Sequence, residues 1–137
     1  MNSRDATLAA IAAKSEKESA YHVRHCSEWI IRLGDGTGES HRRAQTAVDD
    51  LWAYTGEMFE ADDSERGLID AGIAVDPAAL RPRWLETVSN VLREATLKRP
   101  TDVPYSWHGK RGEHTEHLGY LLAEMQFLHR AYPGASW

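Results

Sequence analysis

Two groups of residues in this chain could do chemistry. The first lies near the end, where Glu113, His114, Glu116 and His117 crowd the entrance to a helical pattern, just after the basic turn Gly109-Lys-Arg-Gly112. Imidazoles and carboxylates this close together are common donors to zinc or iron. A zinc-protease helix needs His-Glu-x-x-His, whose spacing of four puts both imidazoles on one face. Here the order is His-Thr-Glu-His, and the spacing of three does not match. Thr115 and Glu116 are also well explained as helix-start residues, a cap and a negative charge at the positive end of the dipole. The preferred reading is therefore docking. Lys110, Arg111, His114, Glu116 and His117 are read as orienting the preceding loop, within the protein or against a partner, with no metal bound.

The second group is a stripe on the first helical pattern: Leu8, Ile11, Ser15, Glu18, His22, His25 and Trp29, spaced alternately three and four. Apolar residues open and close it, while Glu18, His22 and His25 fill its middle. If that stripe faces a core, these groups need partners, because buried charge is costly unless paired or metal-bound. A carboxylate-bridged di-iron bundle requires one Glu from each of two helices and Glu-x-x-His from each of two others. After Glu18 the histidine comes one place late, at His22, which rotates it about 100° round the helix. Glu113-His-Thr-Glu116 and Glu124-Met-Gln-Phe127 also fail at the fourth position. The ligand count falls short, and a buried Glu–His–Tyr hydrogen-bond network is preferred to a metal site.

Weaker candidates are quickly placed. Gly34-Asp-Gly-Thr-Gly38 lacks the Lys-Ser/Thr of a phosphate loop and follows a helix, so it reads as a helix-ending turn. Cys26 reads as a small core residue. No catalytic residue, cofactor site or metal ligand is assigned to this chain.

The elements that must position these residues are all helical, with no period-two run. The first helix is expected from Asp5 to Leu33, stopped by Gly34-Asp35-Gly36. The second is expected from an N-cap at Ser40 to Glu60, with Ala44, Val48, Leu51, Thr55 and Met58 inward. A short helical turn ends at Ala71-Gly72. Asp76-Pro77 then opens a helix that Pro82 restarts or kinks, carrying Trp84, Val88, Val91 and Ala95 inward to a stop near Pro100. An irregular stretch from Pro100 to Gly112, with Tyr105 and Trp107, precedes a last helix over Thr115–Tyr132, with Leu118, Leu121, Leu122, Met125 and Leu128 inward. Four main helices with short links predict an antiparallel bundle forming one domain over residues 1–137.

Composition narrows the function classes. With 16 basic and 21 acidic side chains the net charge is −5, which argues against nucleic-acid or anionic-membrane binding. One cysteine leaves no internal disulfide and fits a reducing compartment. No apolar run reaches membrane-spanning length and no leader is evident. A cytoplasmic location is expected.

Several tracts together resemble a known family. They are Leu8-Ala-Ala-Ile-Ala-Ala-Lys14 with Lys17-Glu18 and Tyr21-His22, Arg32-Leu-Gly-Asp-Gly-Thr37, and Leu51-Trp52 with Glu57-Met-Phe-Glu60. Gly72-Ile-Ala-Val-Asp-Pro77 and the closing His114–Trp137 stretch complete the set. The chain resembles the carboxy-terminal half of the structural, PaaC-type subunit of bacterial phenylacetyl-CoA epoxidase, also called phenylacetyl-CoA oxygenase. The resemblance implies the carboxy-terminal part of a ferritin-like bundle that has lost a competent metal site and pairs with a di-iron catalytic subunit. It implies that the assembled enzyme epoxidises the ring of phenylacetyl-CoA with dioxygen, drawing electrons from NADPH through a flavin and iron–sulfur reductase. The alternative is a ferritin-like protein that assembles a di-iron site across a homodimer from two Glu18/His22 pairs. The family's subunit is considerably longer, and its amino-terminal half supplies the first helices. A lone carboxy-terminal half is therefore expected to expose an apolar face, and to self-associate, bind a complementary half, or be only marginally stable.

Overall fold

The computed structural model describes residues 3–103 and 108–136. They form two compact units, Met1–Ser106 and Trp107–Trp137, each considered by itself. Five α-helices and three 3-10 segments make up the regular structure, with no strand among the described residues. The fold is all-α, as the periodicity indicates. Tyr105 and Trp107, the aromatic pair of the expected loop, lie outside the described residues.

In the first unit, α1 spans Ala6–Gly34, and the Asp5 carboxylate caps it by accepting from Leu8 N–H. Beyond the turn, α2 spans Gly38–Leu51. Its N-cap is Thr37, whose hydroxyl accepts from the N–H of Ser40, the third helical residue; the Ser40 hydroxyl in turn accepts from the Thr37 N–H, closing a capping box. The expected N-cap at Ser40 is corrected by three residues. The expected continuation to Glu60 is also corrected: at Trp52 the chain tightens into a 3-10 segment, Trp52–Phe59. Trp52, Thr55 and Gly56 are weak helix formers, and the Thr55 hydroxyl donates to Trp52 O at 2.7 Å.

A short α3 follows over Asp63–Asp70, opened by a capping box between Asp62 and Glu65. It ends on Gly72 at φ +71, a left-handed conformation that glycine adopts without strain. Asp76 caps the 3-10 turn Pro77–Leu80, and α4 takes over at Arg81–Glu94 with Pro82 in its first turn. The helix stops at Glu94, earlier than its expected end near Pro100.

The core lies where these helices meet. Ala44, Trp52, Leu92, Ala95 and Leu97 are buried, with Ile30, Ile31, Val48, Trp84, Leu85 and Val88 packed against them. The closest approach is at the end of α1. A Cβ on Gly34 would lie 2.3 Å from the Ala95 carbonyl oxygen, so glycine is required there. The Gly34 carbonyl accepts from His41 Nδ1 at 2.8 Å and from the Thr96 hydroxyl at 3.3 Å. Orphan carbonyls of a helix end are thus met by side chains from two other segments.

In the second unit, a 3-10 turn, Gly109–Arg111, ends on left-handed Gly112 and leads to α5, Glu116–Ala131. Thr115 occupies the N-cap position with extended backbone, but its side chain makes no capping hydrogen bond. The expected capping role of Thr115 is corrected accordingly.

Candidate functional site

The predicted chemical residues are placed on surfaces. Glu18 and His22 are exposed, with side-chain accessibilities of 79% and 69%, and Nε2 of His22 lies 4.0 Å from a Glu18 carboxylate oxygen. The buried end of α1 runs through Ile30, Ile31 and Gly34, a different face from the predicted stripe. The expected buried network is corrected: in this chain Glu18, His22 and His25 face solvent. They do form a continuous ladder. Tyr21 stacks on His25 with centroids 5.9 Å apart and meets His22 edge-on at 5.9 Å, and His25 meets Trp29 edge-on at 6.4 Å. Arg24 and Arg32 lie over the Tyr21 and Trp29 rings at 5.5 Å each.

The carboxy-terminal candidates lie in the second unit. Lys110 and Arg111 sit in the 3-10 turn, while His114, Glu116 and His117 are exposed, with the His117 ring 6.5 Å from that of Tyr120. The expected inward stripe of α5 is not covered within its unit: Leu121, Leu122, Met125 and Leu128 are exposed. Among the described residues, no three His, Cys, Asp or Glu side chains come together as metal ligands. Tested against a carboxylate-bridged di-iron set, these donors do not fit, since Glu18 with His22 supplies one carboxylate and one imidazole without a bridging neighbour.

What the first unit does build is an open apolar groove of about 990 Å³. Val23, Cys26, Ile30 and Leu33 of α1 form one wall, and Ala44, Ala47, Val48 and Leu51 of α2 another. Trp84, Val88 and Val91 of α4 complete it. Cys26 is exposed and faces this groove, which corrects its reading as a core residue. The phase of α1 explains the miss. Its apolar residues fall on two stripes about 100° apart, and the one through Val23, Ile30 and Leu33 lines the groove.

Beside the groove lies a latch that short-range patterning does not reveal. Asp102 accepts from Arg81 at 2.6 Å and from the Trp52 indole N–H at 3.2 Å, with Arg99 at 3.6 Å. The Arg81 guanidinium, then the Trp52 N–H, hold the Asp102 carboxyl below the ordinary aspartate range. Trp52 in turn packs on Trp84 at 5.7 Å, and Phe59 on Trp84 at 5.1 Å. Partners fifty residues apart carry no sequence signal beyond the presence of Trp and Asp. On the groove's rim, Arg42 and Arg43 share the Glu39 carboxylate and lower its pKa.

The arrangement suits packing and docking. The family described as phenylacetic acid catabolic protein matches residues 1–137. A 1,2-phenylacetyl-CoA epoxidase subunit from Escherichia coli (strain K12) is 49% identical over 137 residues, which is 100% of this chain and 55% of that relative. The chain thus spans a little over half the length of this curated relative, with its groove and latch residues inside the matched region. It belongs to the phenylacetic acid catabolic protein family.

Proposed function

We propose that this chain is the carboxy-terminal part of a non-catalytic structural subunit of the multicomponent oxygenase that epoxidises the ring of phenylacetyl-CoA. The observation that carries the reading is identity of 49% along the whole chain to a protein named as a subunit of that epoxidase. The donor set is consistent with it: Glu18 and His22 are four apart and exposed, and among the described residues no third candidate ligand joins them. Oxygen activation then belongs to a di-iron catalytic subunit, with electrons delivered by a separate reductase. This chain contributes a helical surface against which that subunit is held.

Co-purification tests this. A tagged catalytic subunit should retain the chain when the remainder of the structural subunit is supplied, and ring epoxidation should then be recovered. A catalytic subunit that ignores the chain under those conditions overturns the proposal. The exposed Glu18/His22 ladder gives the rival reading a concrete form, a metal site shared by two copies. Anaerobic iron loading that yields tight, stoichiometric iron, lost in Glu18→Ala, would replace the scaffold reading with that one.

A further inference from the structure

We infer that the solvent face of α1 carrying Lys14, Lys17, Arg24 and Arg32 is a docking strip for an acidic helix of a protein partner, with carboxylates facing the four cations and a base facing Glu28. The inference deepens the structural-subunit reading and rests on it: the partner is the catalytic subunit that this chain is proposed to hold.

The strip follows from helical phase. At 100° per residue, Lys14, Lys17, Tyr21, Arg24, Glu28 and Arg32 fall within about 80° of arc, and all six are exposed. Val23 and Ile30, which line the groove, lie about 150° away round the helix. Strip and groove therefore look in opposite directions. From Lys14 to Arg32 the helix rises about 27 Å, enough to run beside about 18 residues of a partner helix.

These cations find no carboxylate within the chain. Among the described residues none of the four forms an ion pair, whereas Arg42, Arg43, Arg66, Arg81 and Arg99 all do. Glu28 is four places from both Arg24 and Arg32, a spacing that favours pairing on a helix, yet it pairs with neither. The two guanidiniums lie over rings instead, Arg24 over Tyr21 and Arg32 over Trp29, each 5.5 Å from the centroid. A guanidinium laid on a ring keeps its N–H edge for a carboxylate and has already lost much of its rotamer freedom. The rings themselves are half open, Tyr21 51% and Trp29 48% exposed. Tyrosine, tryptophan and arginine are the residues that anchor protein interfaces.

The order of charges selects a protein over a polyanion. In a chain of net charge −5, four cations on one helix face make a local positive strip that steers acidic surfaces toward it. A phosphate backbone or an anionic lipid surface carries one sign throughout and would meet Glu28 with repulsion. A helix can change sign from turn to turn, and so match both the cations and the carboxylate between them.

The test uses the full chain with the remainder of the structural subunit, captured on tagged catalytic subunit at low and high salt. Arg24→Glu should weaken capture about tenfold or more at low salt, with a smaller loss at high salt. Arg93→Glu, the same charge change off the strip, should leave capture unchanged. Glu28→Lys should also weaken it, because the partner's base then meets a like charge. Circular dichroism confirms that the variants stay helical. With no substitution at all, amine acetylation followed by mass spectrometry should find Lys14 and Lys17 protected several-fold in the complex, and Lys98 not. Capture indifferent to Arg24→Glu, or full reactivity of Lys14 and Lys17 in the complex, overturns this inference and leaves the scaffold reading standing. Failure to capture the parent chain overturns both. Capture strengthened by Glu28→Lys, or retention of the chain by phosphatidylserine vesicles through Arg24, would make the strip a polyanion surface and overturn the inference as well.

Discussion

α4 and α5 are both amphipathic helices of similar length, 14 and 16 residues, with opposite fates. α4 buries Leu92 to 5% exposure and leads into fully buried Ala95. α5 buries none of its residues, and Met125 is 70% exposed. The difference is in what surrounds them. α4 meets Trp52, Ala44 and Ile30, all supplied by its own unit. α5 carries Tyr120 and Phe127 away from its leucine stripe, so it is apolar on two sides, a pattern suited to an interior. An amphipathic period states that a helix needs cover; it does not state who provides it.

Substitution can break this contrast directly. Leu92→Ala should cost about 3 kcal/mol through lost burial and a cavity, whereas Leu121→Ala should cost under about 0.5 kcal/mol in the chain alone. Urea unfolding followed by circular dichroism compares the two. Equal losses would mean that α5 is as well packed as α4. A smaller effect is expected at the joint that seats α4. Gly34→Ala forces a Cβ into the Ala95 carbonyl and should cost about 2 kcal/mol, seen as a lowered thermal midpoint.

A smaller effect than at Leu92 or Gly34 concerns the Asp102 latch. Its carboxyl titrates below the ordinary value in the folded chain, so its contribution is complete above about pH 4 and fades as pH falls through the lower folded-state value. The carboxylate is half-exposed, so Asp102→Asn should remove less than about 1 kcal/mol at neutral pH. The variant should also show a flatter loss of stability with acid than the parent. An unchanged acid limb would show that the latch carries no energy.

The helices and their punctuation were legible in the sequence because those signals are local. Asp5, Gly34 and Asp76-Pro77 mark boundaries through caps and turns made within a few residues. The facing of α1 was not. Leu8, Ile11 and Trp29 make as good a stripe as Val23, Ile30 and Leu33, and only the residues of α2 and α4 decide between them. The break at Trp52 had only the weak local signal of Trp52, Thr55 and Gly56, and the Trp52–Asp102 hydrogen bond joins residues fifty positions apart. The groove was legible in part: the stripes of α2 and α4 that line it, Ala44, Val48 and Leu51 with Trp84, Val88 and Val91, follow from helical spacing, while the wall from α1 does not.

The start and end of α1 are both fastened. Ser3 donates to Ile73 O at 2.7 Å and the Arg4 N–H to Gly72 O at 2.9 Å, while Gly34 is gripped by His41 and Thr96. At 29 residues, the helix is a strut about 43 Å long, clamped at its ends and bare along its middle. It sets a fixed span between the α3 turn and the α2–α4 junction. Any surface that docks along the Tyr21–His25–Trp29 ladder meets a rigid rail, and must match its pitch without help from the chain's own flexibility.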